Sequence, residues 1–166
     1  PGLLDILARN YSRRVQDGAV FEIGRVFYPR GAESLPEERM VLAAAAMGST
    51  PGSWNMAPRE MDFYFLKGIL ERFFSRIGTR PVQFRAETAN PSFHPGRCAS
   101  LEAGGVSLGV LGELHPDVLE HYELPDRVVG LEIDLAKLFE ISGNPVQYRP
   151  LPKYPGIERD IAIVVK

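Results

Sequence analysis

Apolar positions near the start of the chain recur with a helical period. Leu3, Ile6, Leu7, Asn10 and Tyr11 fall at i, i+3, i+4, i+7 and i+8, and Leu4 and Ala8 widen the stripe. Arg13 and Arg14 follow where cations complement a helix C-terminus, so residues 4–11 read as a short amphipathic helix with a broad apolar face. Asp17-Gly18 turns the chain, and the period then changes. In Val20-Phe21-Glu22-Ile23-Gly24-Arg25-Val26-Phe27, the residues Phe21, Ile23 and Phe27 alternate with others, which predicts a strand. Residues 34–48 support two readings. Pro36, Glu37-Glu38, four consecutive alanines and a closing Gly48 favour a helix, whereas alternation of Met40, Leu42, Ala44 and Ala46 permits a strand of small residues.

Residues 50–58 form a Pro/Gly-rich loop that carries Trp54. Asp62 then opens the best helix, with Phe63, Leu66, Ile69, Leu70, Phe73 and Ile77 on one face and Gly78 just past its end. Gly68 inside it costs about 1 kcal/mol relative to alanine, which suggests close approach of a neighbouring element. The second half turns to strands: residues 82–86, 98–103 and 106–114, the last two joined by the hairpin signal Gly104-Gly105. Pro116 opens a brief helix to about Tyr122, and residues 128–133 form another strand. Residues 142–155 hold four prolines and read as an interdomain linker. Ile161, Ile163 and Val165 then begin a further strand. Many antiparallel strands with two or three helices predict an α+β fold rather than a doubly wound one.

Composition narrows the function. The 166 residues suffice for one domain and the start of a second. A net charge of −2 supplies no global field for nucleic acid, so any RNA contact would be local, at Arg13-Arg14 or between Arg25 and Arg30. A single cysteine, Cys98, excludes an intrachain disulfide and fits a reducing compartment. No apolar run reaches the roughly 18 residues of a membrane span. The chain opens Pro1-Gly2 without an initiator Met and reads as a piece of a longer protein.

Several blocks in order carry a resemblance. They are Phe21-Glu22-Ile23-Gly24-Arg25-Val26-Phe27, Asp62-Phe63-Tyr64-Phe65-Leu66-Lys67-Gly68 and Phe93-His94-Pro95-Gly96-Arg97, then Gly109-Val110-Leu111-Gly112-Glu113-Leu114-His115-Pro116. With Lys153-Tyr154-Pro155 and Arg159-Asp160-Ile161-Ala162, the set resembles the bacterial phenylalanyl-tRNA synthetase beta subunit family. The resemblance implies a class II synthetase/biotin ligase-like domain without activity, an antiparallel sheet flanked by helices. It selects the strand for residues 39–48. It implies a catalytic-like domain at 1–141, truncated in its motif 1 region, a linker at 142–155, and at 156–166 the first strand of a ferredoxin-like anticodon-binding domain. It also implies a cytoplasmic (αβ)2 heterotetramer in which ATP, Mg2+ and aminoacylation of tRNA(Phe) belong to the whole complex and no cofactor to this piece. Leu3, Leu4, Leu7 and Tyr11 would match a helix used in contact with the alpha subunit. An apolar helix deprived of that partner could also bring two copies of the piece together.

A working class II site needs an arginine and a glutamate on paired strands, and a Gly-rich strand followed by an arginine on a helix. Phe84-Arg85-Ala86-Glu87 fits the first pattern literally but comes after the long helix. Gly24, Arg25, Phe27 and Arg30 stand in the right place as a degraded counterpart, because Tyr28-Pro29-Arg30 replaces the Arg-x-Glu continuation. Gly104, Gly105 and Gly109 precede no helical arginine and no Gly-Lys-Ser/Thr. His94, His115 and His121 lack zinc-ligand spacing: His115 suits a helix start and His94-Pro95-Gly96 a turn. The reading is a structural and assembly module. An ATP-using class II-like enzyme and a stand-alone tRNA-binding module are the alternatives.

Overall fold

The computed structural model describes residues 1–31, 34–125, 127–143, 156 and 159–164. The chain runs α1 (Gly2–Ser12), β1 (Gly18–Tyr28), β2 (Glu37–Met47), α2 (Phe63–Ile77), β3 (Gln83–Ala86), β4 (Phe93–Ala103), β5 (Val106–Leu114), α3 (Pro116–His121), β6 (Val128–Asp134) and α4 (Leu135–Glu140). Six strands form one sheet in the order β1-β2-β6-β5-β4-β3, and every neighbouring pair is antiparallel. The α+β expectation therefore holds.

The ambiguous alanine run is strand β2. Its neighbours on both sides explain why tertiary packing overrides helix propensity: Ala43 pairs with Glu22 and Glu132, and Ala44 with Phe21 and Leu131. Ala45 and Ala46 are buried on opposite faces of the sheet. α2 forms, but its buried face is turned slightly from the expected one: Ile69 is 49% exposed, while Phe74, outside the expected stripe, is buried. Asp62 Oδ1 accepts from the Phe65 N–H at 2.9 Å, left-handed Gly78 ends the helix, and Leu66, Leu70 and Phe74 are buried. The Gly104-Gly105 hairpin also forms, both residues with positive φ (59° and 81°).

Two cores sit on opposite faces of the sheet. On one, α2 and α4 cover Ala46, Leu101, Leu111, Val129, Leu131 and Ile133. On the other, Leu7 of α1 and Leu119 of α3 close over Ala45, Met47, Phe93, Leu114 and Val128.

Four expectations need correction or limits. His94-Pro95-Gly96 is no turn but an irregular stretch inside β4, where pairing to β5 shifts between Phe93 and Cys98. Proline has no N–H for the ladder, and the Gly96 N–H donates instead to His94 Nδ1 at 3.1 Å. Helix α4 has no counterpart in the sequence reading. Its six residues are too few to show a period, and Asp134 Oδ1 starts it by accepting from the Ala136 and Lys137 N–H groups. Gly68 meets no close neighbour, since a Cβ there would touch nothing within 4 Å. Ile161 and Ile163 lie exposed in residues 159–164, which pair with no described strand. Residues 144–155, most of the linker assignment, lie outside the described residues, as does Val165.

Candidate functional site

The sheet face under α1 and α3 is only partly covered, and the uncovered part is a groove of about 480 Å³. Small residues make its floor. Gly24 of β1, Ala43 and Ala45 of β2 and Gly130 of β6 line it, Ala45 pairing with Gly130, and Leu3, Leu4, Phe93, Val118 and Tyr122 complete the lining. Cross-strand register brings two carboxylates to this face, because Glu22 and Glu132 both pair with Ala43. Both are exposed, and both line the groove.

The residues expected as a degraded counterpart of an ATP site do not converge there. Gly24 contributes floor. Arg25 is the only cationic residue among the described lining residues, and its guanidinium is bound to Glu38 at 3.2 Å on the other face of the sheet. Strand alternation puts Arg25 and Phe27 on the face opposite Gly24, beside exposed Phe21 and Ile23. Arg30 lies in the β1–β2 connection, 2.8 Å from Glu37, and Arg39 holds the same carboxylate at 2.7 Å while stacking over Tyr28. The Arg39 and Arg30 hydrogen bonds hold the Glu37 carboxyl down at about 2. A polyphosphate brought to this groove would meet Glu22 and Glu132 rather than a cationic clamp. Arg85, from the misplaced Phe-Arg-x-Glu sequence, lies on edge strand β3 at 3.1 Å from Glu102. Neither α3, which follows Gly109 and β5, nor α4, which follows Gly130 and β6, contains an arginine.

The opening helix uses its stripe at home. Leu7 is fully buried against the sheet, and Leu3, Leu4 and Tyr11 pack partly buried around the same core. These three keep some surface for a partner; Leu7 keeps none. An open apolar surface lies on the other face of the same sheet edge: Phe21 is 73% exposed, Ile23 and Phe27 56% each, and Met40 on β2 lies opposite Arg25. The strand pattern signalled these aromatics, but the sequence did not show that β1 is an edge strand. Glu22 could have been placed beside Gly24 from alternation alone, whereas Glu132 needed the register across β2.

The other candidate groups are structural in this setting. His115 caps α3, its Nδ1 accepting from the Asp117 N–H at 3.3 Å. Burial pushes the Cys98 thiol up to about 11, the opposite of what a nucleophile needs. Glu113, nearly buried, is held by Arg97 at 2.7 Å and approached by Arg127 at 3.5 Å.

Residues 1–135 match the model of the phenylalanyl tRNA synthetase beta chain CLM domain. The chain belongs to this family. It is 50% identical over 165 residues to the phenylalanine–tRNA ligase beta subunit of Moorella thermoacetica, a match covering 99% of this chain and 20% of that one. The beta subunits of Symbiobacterium thermophilum and Carboxydothermus hydrogenoformans are 43% and 39% identical, with 99% and 100% of this chain covered and 18% and 21% of theirs. The chain thus spans about a fifth of the length of these relatives. The sheet and its helices also match the pyrrolysyl-tRNA synthetase of Desulfitobacterium hafniense, with a TM-score of 0.61, 23% identity and coverage of 85% of this chain and 47% of that one. The class II synthetase fold expected from the sequence is therefore the fold of this domain. Among the described residues, no helix is long and apolar enough to cross a membrane.

Proposed function

We propose that this CLM domain is a non-catalytic assembly module of the phenylalanyl-tRNA synthetase beta subunit, which contacts the alpha subunit and supports aminoacylation of tRNA(Phe) from the cytoplasm. The observation that carries the reading is the open apolar face of β1, where Phe21, Ile23 and Phe27 stand exposed in a row on an edge strand. With Met40 on β2 they form an exposed apolar surface interrupted by the Arg25–Glu38 ion pair, and an exposed apolar surface of this kind marks a protein contact. Ile6 and the partly open Leu3, Leu4 and Tyr11 of α1 border the same sheet edge on its other side and extend the surface available to a partner. The non-catalytic half of the reading is supported by the groove, whose free side-chain charges are carboxylates and whose one arginine is bound elsewhere. ATP and Mg2+ then belong to the parent complex rather than to this domain.

Two titrations test both halves. Calorimetry of the chain with ATP and Mg2+ is expected to give no saturable heat, and size-exclusion chromatography with the alpha subunit is expected to give co-elution. Saturable ATP binding that Arg25→Ala abolishes would support the class II-like enzyme instead. Salt-dependent tRNA affinity without alpha-subunit binding would support the RNA module.

A further inference from the structure

The arginines of the sheet and its flanking loops are held by neighbouring carboxylates: Arg25 by Glu38, Arg30 and Arg39 by Glu37, Arg85 by Glu102, and Arg97 and Arg127 by Glu113. The arginines of residues 72–80 are not. Arg72 and Arg76 on α2 and Arg80 just past it are exposed, and none of them enters an ion pair among the described residues. The one carboxylate on α2, Glu71, is held by Lys67 at 3.0 Å. Residues 67–80 thus carry four cations against one carboxylate, a local charge of +3 in a chain whose net charge is −2.

Arg72 and Arg76 stand four residues apart, about 6 Å along the helix axis, where like charges repel. Arg76, in the last turn, gains from the helix dipole, but Arg72 does not. Arg80 adds a third charge on a fixed support. Left-handed Gly78 ends the helix, and the Thr79 N–H and Oγ1 both donate to the Phe74 carbonyl, at 3.1 and 3.3 Å. The Arg80 side chain then lies against the β4–β5 hairpin, its Nη1 3.2 Å from where a Cβ at Gly104 would stand. Arg9, Arg13 and Arg14 are unpaired too, but they gather at the C-terminus of α1, where the helix dipole accounts for them.

We propose that Arg72, Arg76 and Arg80 hold the phosphate backbone of RNA; the inference rests on the role in tRNA(Phe) aminoacylation proposed above and gives that role a contact surface. Charge complementarity calls for a polyanion. Successive unpaired guanidinium groups match a strand that carries a phosphate at every nucleotide, and each guanidinium can hold two phosphate oxygens at once. Ile69, 49% exposed and three residues before Arg72, is the apolar neighbour that an acidic protein would cover instead, so it separates the two kinds of partner.

The test is fluorescence anisotropy of end-labelled tRNA(Phe) titrated with the chain at several salt concentrations. Saturable binding is expected, and Arg72→Gln/Arg76→Gln/Arg80→Gln is expected to reduce the slope of log K against log salt by about 2–3. The same variant is expected to bind at least about tenfold more weakly at low salt and to keep its melting temperature. Arg9→Gln/Arg13→Gln/Arg14→Gln, which removes equal charge from the exposed end of α1, and Ile69→Asn are each expected to stay within about twofold of the wild type. No saturable binding, or equal loss in the two triple variants, overturns the surface. Loss of alpha-subunit co-elution in the Arg72/Arg76/Arg80 variant and in Ile69→Asn, with tRNA binding unchanged, overturns the RNA contact and leaves the assembly reading standing. The expected slope change in a chain that binds no alpha subunit supports this inference and overturns the assembly reading alone.

Discussion

Leu7→Ala separates a helix that holds this domain together from one reserved for a partner. Leu7 is completely enclosed, packed with Ala45, Met47, Phe93, Leu114 and Val128, and it is the only fully buried residue of α1. Its Cδ2 lies 3.6 Å from where a Cβ at Gly18 would stand, so the helix is seated close against the start of β1. Truncation removes three buried carbons, about 2.4 kcal/mol of transfer free energy at ~0.8 kcal/mol each, and leaves a cavity. The total falls within the roughly 2.7–5 kcal/mol seen for enclosed leucines. Because α1 packs mainly on β1 and β2, it can shift to fill part of the space, which places the loss at about 3 kcal/mol. For a chain of this size that is a fall of roughly 6–12 °C in melting temperature. Ile6, 43% exposed one position earlier, is the control: Ile6→Asp is expected to change stability by no more than about 0.5 kcal/mol. Circular dichroism melts of both variants supply the readout. Equal melting temperatures for Leu7→Ala and wild type would refute the seating of α1 on the sheet.

Three further outcomes follow from single positions. Gly68→Ala is expected to stabilise the chain by about 0.5–1 kcal/mol in thermal melts, since the Cβ would meet open space within a regular helix. Gly109→Ala is expected to cost more than about 4 kcal/mol, because its Cβ would overlap the Glu132 carbonyl oxygen across the β5–β6 ladder, and a soluble variant with native-like melting would count against the strand spacing. Glu37, held at about 2 by Arg39 and Arg30, contributes its pairing fully above the ordinary carboxylate value of 4.5 and loses it as pH falls through about 2. Carbon-detected NMR titration is expected to find its midpoint near 2 and to see it rise in Arg39→Gln.

Much of this fold was legible because its periods are strong. α2 has a cap, an apolar face and a terminating glycine, each a local signal, and all three are present. β1 was equally clear from Phe21, Ile23 and Phe27, although alternation says nothing about which face is covered. β2 is the opposite case. Residues 43–46 are alanines with helical propensity, and only β1 and β6 on either side make them a strand. α4 escaped notice because six residues beginning at Leu135 give less than two turns to read. The site divides in the same way. Loss of an Arg-x-Glu continuation after Phe27 could be read from the letters, whereas the meeting of Glu22 and Glu132 over Ala43 is a matter of register between strands 110 residues apart in sequence, from 22 to 132. Leu3, Leu4, Leu7 and Tyr11 were visible as an apolar stripe, but a stripe does not say whether its own sheet or another subunit covers it.

The central claim is that the exposed β1 face makes this an assembly module, and sedimentation velocity of the chain mixed with the alpha subunit tests it most directly. A stable complex is expected for the wild type. The double variant Phe21→Asp/Phe27→Asp, altered only at side chains already 73% and 56% exposed, is expected to keep its own fold and weaken the complex at least about tenfold. Absence of a wild-type complex, or a complex indifferent to both aspartates, would contradict the account.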